Sequence, residues 1–321
     1  MKARWQSLAA PLLALVVFVW CLTAVLRPGW SSSGAGLQRP SGSVLAVGVR
    51  DVVVREPVLG VYVLPREEVA ISAAENPPGI EVRLRAEAGT VTPSGTGQWT
   101  WHAPPEPGLY PITVEALPDG PAILLHAFVT VPFDRVRNGR LNGYRIGVYP
   151  GNRADRPPPG GFVEVTPRNE AVLVSPRFRL GQFVSKQGDS YPKYLVLDER
   201  LLQKLERVVD GLRRRGVRAD TLHVMSGYRT PYRNALLGNV RLSLHQWGRA
   251  ADIFVDANGD GLLDDLNGDG RVDIEDARLL AEVIDDLDEV GGGMGIYPAT
   301  AAHGPFVHVD VRPRRARWGS G

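Results

Sequence analysis

The sequence predicts an all-β region followed by an α+β domain, a small antiparallel sheet with flanking helices, behind an N-terminal membrane helix. Three observations carry this. Period-two alternation with frequent turns fills residues 44–135. A long amphipathic pattern first appears at Leu201–Leu212. An uncharged apolar stretch runs from Ser7 to Leu26. At 321 residues the chain has room for two domains.

Lys2 and Arg4 precede the apolar stretch, which favours a cytoplasmic N-terminus and an inner-membrane anchor covering 1–27. A cleaved signal peptide has the same order of basic, apolar and small residues, and it would release the protein. Either reading exports the chain from about residue 30 onward. The one cysteine, Cys21, lies inside this segment, so the exported part can form no disulfide and no thiolate metal site. Residues 28–43 are rich in Ser, Gly and Pro and suit a flexible tether. The net charge of +2, with no basic block among aromatics, argues against a nucleic-acid partner.

In 44–135, Val82, Leu84 and Ala86 alternate with charged residues, Trp99 and Trp101 share a face, and Tyr110, Ile112 and Val114 come after a Pro/Gly turn. The pattern resembles an immunoglobulin-like sandwich. Residues 136–187 mix short strands with the Pro-rich 153–161 and give no mechanism. A helix comes next. Leu201, Leu202, Leu205, Val208, Val209 and Leu212 make its apolar stripe, with Asp198 as N-cap and Gly216 as stop. The domain assigned to 136–321 then reads as a strand running into a loop at 221–230.

"SLHQWGRAAD", Ser243 to Asp252, holds the chemistry. A catalytic zinc takes three protein ligands and keeps a fourth position open. Without cysteine the ligands are imidazole and carboxylate. His245 and Asp252 supply two, and His308 in "FVHVDV" offers the third. An alternating stretch turns His308 and Asp310 to one side. Gly248 and Ala250 suit a close approach of chain and metal. His102, His126 and His223 lie in strand-like runs and read as structural.

Ser243, His245, Gly248, Ala250 and Asp252 reproduce the S-x-H-x-x-G-x-A-x-D pattern of zinc D-alanyl-D-alanine carboxypeptidases and murein endopeptidases. "SGYR" at Ser226–Arg229 and "HVD" at His308–Asp310 stand in the order of that family. The chain particularly resembles its periplasmic murein endopeptidase branch, over roughly Leu195 to Trp318. The resemblance implies zinc on His245, Asp252 and His308, with Arg229 binding substrate or steadying an oxyanion. It places Ser226, Tyr228 and Asn234 along the cleft. It further implies a cell-envelope peptidase acting on peptidoglycan stem peptides or cross-links. Several relatives carry an acid three residues before the last ligand, where this chain has Pro305. Asp310 and then His303 are the candidates for the general base, and Asp310 could instead orient a ligand. A zinc-containing peptidoglycan-binding protein without hydrolysis is the alternative.

Residues 256–290 read as an insertion carrying an EF-hand-like loop. Asp265, Asn267, Asp269, Arg271 (through its carbonyl), Asp273 and Asp276 take the calcium-ligand positions, and Gly270 the turn position. Asp256, Asn258, Asp260 and Asp264 begin an overlapping copy. Position twelve is Asp rather than Glu, which resembles dockerin-type loops. A dockerin needs a paired repeat, so no cohesin partner is expected.

Overall fold

The structure is a computed structural model that describes residues 45–73, 76, 79–151, 156–287 and 291–319. The expected membrane helix, the linker and Cys21 lie outside these. Among the described residues no helix is long and apolar enough to cross a membrane. Anchoring by a helix, and with it a membrane partner, is therefore corrected for the described residues, whose three α-helices are short and amphipathic or solvent-facing.

Strands dominate the chain. β1 (Val47–Val49), β2 (Val52–Val54), β4 (Glu68–Ser72), β6 (Thr90–Gly95) and β7 (Gln98–His102) form one sheet in the order β2-β1-β4-β7-β6. β3 (Val58–Val63), β5 (Val82–Ala86), β8 (Gly108–Ala116) and β9 (Ala122–Val129) form a second, β3-β9-β8-β5. Their buried faces merge in one apolar cluster around Ile71, Trp101, Ile112 and Leu125. Trp101 is fully buried because its indole N–H finds the carbonyl of Ala88 at 2.9 Å.

The chain then makes small sheets. β10 (Val131–Pro132), β13 (Gly161–Val165) and β16 (Lys193–Leu195) pair in the order β10-β13-β16. β11 (Arg140–Leu141) and β12 (Tyr144–Arg145) form one hairpin, and β14 (Leu173–Ser175) and β15 (Phe178–Arg179) another. The last sheet has the order β17-β18-β20-β19-β21, from His223–Ser226, Ala250–Phe254, Phe306–Asp310, Gly293–Tyr297 and Ala316–Gly319 respectively. It is antiparallel except where β21 joins β19 in parallel.

α1 (Glu199–Arg214) starts where Asp198 accepts from the Arg200 N–H, and its leucine and valine stripe is wholly buried. α2 (Pro231–Leu236) is capped by Thr230, with Pro231 in the first turn. α3 (Ile274–Asp285) starts at Asp273 with a capping box completed by Asp276. An added Cβ at Gly211 of α1 would reach 2.6 Å from Val283 of α3, so the two helices approach closely there.

The expected α+β peptidase domain is thereby corrected. The architecture is mostly β, six sheets with three α-helices among the described residues, and it has no separate α+β unit. The physical reason is the seam at β3. Its edge packs on β14 and on α1. The Tyr62 N–H donates to the Glu199 carboxylate at 3.1 Å, and Gln203 donates to the Val53 carbonyl at 2.8 Å. His126 bonds the Leu173 carbonyl at 2.7 Å. Residues 43–321 accordingly form one compact unit around one continuous apolar core.

Candidate metal centre

Strand register builds the site. Ser226 opposes Asp252, Asp252 opposes His308, His308 opposes Gly295, and Gly295 opposes Trp318. Directly paired residues point to the same face. One row therefore crosses all five strands, with two ligating side chains at its middle. His245 comes from outside the sheet, on the 3-10 turn Leu244–Trp247. Gly248 ends that turn at φ +64, and an added Cβ would strike the Val196 carbonyl. Close approach to the backbone beside β16, rather than to a metal, is what this glycine serves.

The ligand atoms of His245, Asp252 and His308 lie within 4.8 Å of one another, the group of three such side chains found among the described residues. His245 Nε2 is 3.2 Å from His308 Nδ1 and 3.2 Å from Asp252 Oδ1, and His308 Nδ1 is 2.8 Å from that same oxygen. The outer nitrogens explain the arrangement. His245 Nδ1 meets the Gly227 carbonyl at 2.6 Å, an acceptor, so that nitrogen carries the proton. His308 Nε2 lies 3.4 Å from Asp310 Oδ2, again an acceptor. With both outer nitrogens protonated, two imidazole lone pairs and a carboxylate oxygen converge on one point. Two imidazole nitrogens and a carboxylate oxygen converging on one point form a mixed N/N/O set that could hold a divalent metal. The expected ligands His245, Asp252 and His308 are thus brought together.

The electrostatics agree. Burial alone would raise the Asp252 carboxyl, but the two imidazoles and Arg229 hold it well below the usual carboxylate range. Burial lowers His245. Burial also opposes charge on His308, yet its bonds to Asp252 and Asp310 raise it. A metal ion bound here would compete with a proton for the His308 nitrogen that faces Asp252.

Arg229 bonds Asp252 Oδ2 through Nη2 and reaches Ser226 Oγ at 2.7 Å through Nε. It flanks the ligands at the β17 end of the row. Tyr228 and Asn234 sit deeper. The Tyr228 hydroxyl is buried against that of Tyr149 at 3.0 Å, and Asn234 donates to the Val240 carbonyl at 3.1 Å. They brace the loop that carries Arg229 and do not line a cleft.

Asp310 is fully buried and committed. It accepts from the Gly293 N–H at 2.8 Å, from the Arg312 N–H at 3.0 Å and from the Arg312 guanidinium. Burial opposes its ionisation, but His308 and Arg312 overcome this and lower its pKa strongly. Such a carboxylate orients His308 and is a poor base. His303 turns Nδ1 to the Gly304 carbonyl at 2.8 Å and packs edge-on to Phe306 at 5.0 Å. Two further residues come to the site from beyond the motif, Tyr297 and Trp318. The signal for Tyr297 in the sequence is the alternation Gly295-x-Tyr297 opposite Phe306-x-His308, whereas Trp318 arrives through the tertiary docking of β21 on β19. A cavity of about 340 Å³ touches the motif from its other side, at Trp247 and Arg249.

In the acidic loop the side chains serve the loop's own backbone. Asp265 accepts from Gly268 at 2.7 Å and from Gly270 at 2.8 Å, Asn267 from Asp269 at 2.9 Å, and Asp269 from Arg271 at 2.9 Å. Nine residues earlier the set repeats. Asp256 accepts from Gly259 at 2.7 Å and Gly261 at 3.1 Å, Asn258 from Asp260 at 2.8 Å, and Asp260 from Leu262 at 2.8 Å. Asp273 caps α3 through the Glu275 N–H at 2.8 Å. Asp276, buried, accepts from Leu266 at 2.7 Å and Asp273 at 2.9 Å. The loop is a tandem nine-residue repeat closed by Asp276.

The residues that could hold a metal are therefore His245, Asp252 and His308. Compared with models of protein families, with curated proteins and with solved structures, the chain matches none.

Proposed function

We propose that the protein is an exported zinc-dependent peptidase that hydrolyses amide bonds next to D-amino acids, of the kind found in peptidoglycan stem peptides. The observation that carries the metal part is the convergence of two imidazole lone pairs and the Asp252 oxygen. Three protein ligands, rather than four, favour a catalytic over a purely structural zinc. The substrate class rests on the motif from Ser243 to Asp252 with its SGYR and HVD partners. A zinc held there supplies Lewis acidity and makes water nucleophilic near neutral pH.

The chain's own groups do the rest. Arg229 leans on Asp252 and keeps N–H groups for a substrate carbonyl or carboxylate. Asp310 fixes the His308 ring. His303 Nε2 is the nitrogen left to move a proton, its Nδ1 being spent on Gly304. A binding protein without hydrolysis is the second reading, favoured by Pro305 and by the commitment of Asp310 to Arg312. We also assign calcium to the loop from Asp265 to Asp276, on the support of its ligand spacing. Calcium should then raise the unfolding temperature at constant zinc, and an unchanged temperature up to millimolar calcium would count against the loop as a calcium site.

The test incubates the full chain, zinc-loaded, with purified peptidoglycan and defined muropeptides, with and without chelator, beside His245→Ala. Cleavage products seen by mass spectrometry, and lost with chelator and in the variant, support the peptidase. Intact muropeptides from a folded protein carrying one zinc move the reading to binding.

A further inference from the structure

Trp318 is held at the edge of the metal row by contacts on every side. Its ring lies 5.3 Å from that of His308. Its indole crosses Gly295, where an added Cβ would strike Nε1. The Arg312 guanidinium, clasped by Asp310, sits over the same ring at 4.8 Å. What this arrangement positions is the indole N–H, which donates to the Tyr297 hydroxyl at 2.9 Å. An indole N–H can only donate, so the Tyr297 oxygen accepts and its own proton must point elsewhere. Among the described residues that proton has no acceptor.

Register sets the face the phenol occupies. Tyr297 opposes Phe306, one row along from the pair Gly295–His308, and on the same face. Its ring is stacked on Phe306 at 4.8 Å and 5°, so the phenol cannot swing away. Arg229 flanks the ligands from the loop after β17, and Tyr297 flanks them from β19, across His308.

We propose that Tyr297 is a substrate-contacting residue of this centre. Its hydroxyl donates a hydrogen bond to the oxygen that gains negative charge when the amide carbonyl becomes tetrahedral, and Trp318 positions it. The phenol keeps its proton, and no bond at Tyr297 breaks or forms. The inference rests on the peptidase reading. A donor used chiefly in the transition state acts on kcat more than on KM, and loss of one such donor costs about 100-fold or more.

The experiment uses the full chain, zinc-loaded, beside its Tyr297→Phe and Trp318→Phe variants. Each is titrated calorimetrically with a phosphinic peptide that mimics the tetrahedral carbon. Zinc affinity is measured by chelator competition, and peptide turnover is followed in parallel. We expect Tyr297→Phe to bind the phosphinate at least tenfold more weakly and to lose kcat about 100-fold, with KM and zinc affinity retained. Trp318→Phe should fall between it and the parent. Equal phosphinate affinity in Tyr297→Phe and the parent overturns the inference. So does a matching loss of zinc affinity, which would make Tyr297 a packing residue. A parent that binds the phosphinate through Tyr297 but cleaves no D-amino-acid peptide sinks the peptidase reading and upholds the Tyr297 contact. A parent that binds no phosphinate overturns both.

Discussion

Asp310 was legible in the sequence as part of the site, because residues i and i+2 of a strand share a face. Its task was not. That depends on Arg312, two residues on, and on the Gly293 N–H of a neighbouring strand. A carboxylate that fixes a ligand's outer nitrogen tunes metal affinity, so Asp310→Asn should weaken zinc binding about 10- to 100-fold in a chelator competition. Equal affinity would remove Asp310 from the centre. Gly248 was legible for the wrong reason. The motif suggested room for a metal, and the structure gives room for the Val196 carbonyl at a left-handed φ. Gly248→Ala should therefore destabilise the fold by about 2 kcal/mol or more, read as a lower denaturant midpoint. A midpoint equal to the parent's would contradict that close approach. The ligands themselves were the easiest residues to find, since a chain without cysteine outside 1–27 has few ways to hold a metal.

Element by element, α1 was the most legible because its stripe repeats at helical spacing. What the stripe conceals is the polar traffic on its flanks. Lys204 is buried, its pKa lowered to about 8 chiefly by burial, and it donates to the Gly291 and Asp310 carbonyls at 3.1 and 3.0 Å. Glu199, in the first turn, faces β3. Burial raises its pKa to about 7, with Asp198 adding and the Tyr62 N–H and Arg50 opposing. The folded state thus holds this proton more tightly than the unfolded chain does. Below about pH 4.5 both states are protonated and nothing is lost; as pH rises toward 7 the carboxyl costs stability, and above 7 the full cost remains. Glu199→Gln keeps an acceptor for Tyr62 and removes the charge. Its stability relative to the parent should climb between pH 5 and 8 by on the order of 2 kcal/mol in denaturant titrations. A pH-independent difference would show that Glu199 ionises freely. The register of β18, β19 and β20 arises from alternation, whereas the parallel docking of β21 on β19 has no local signature and is set by tertiary packing.

For the whole molecule the sequence suggested modules meeting near residue 135. Composition does shift there, but β10 runs directly into a sheet with β13 and β16, and β3 is covered by β14 and α1. Seams of this kind are invisible to pattern reading, because an apolar residue that faces another domain looks like one that faces its own core. One unit should give one transition: calorimetric and van't Hoff enthalpies of residues 43–321 should agree, and a fragment of 136–321 should not fold alone. Two separate transitions would restore the modular view. The row of residues across the last sheet carries a consequence in time. Asp252 and His308 are strand neighbours, yet 56 positions of chain separate them, with the tandem loop and α3 in between. Closing so long a loop is slow relative to local helix formation. During synthesis His308 emerges 56 residues after Asp252. Metal capture at this centre would therefore report that β18, β20 and the segment between them have all been made, and a chain cut short before His308 lacks one of the three candidate ligands.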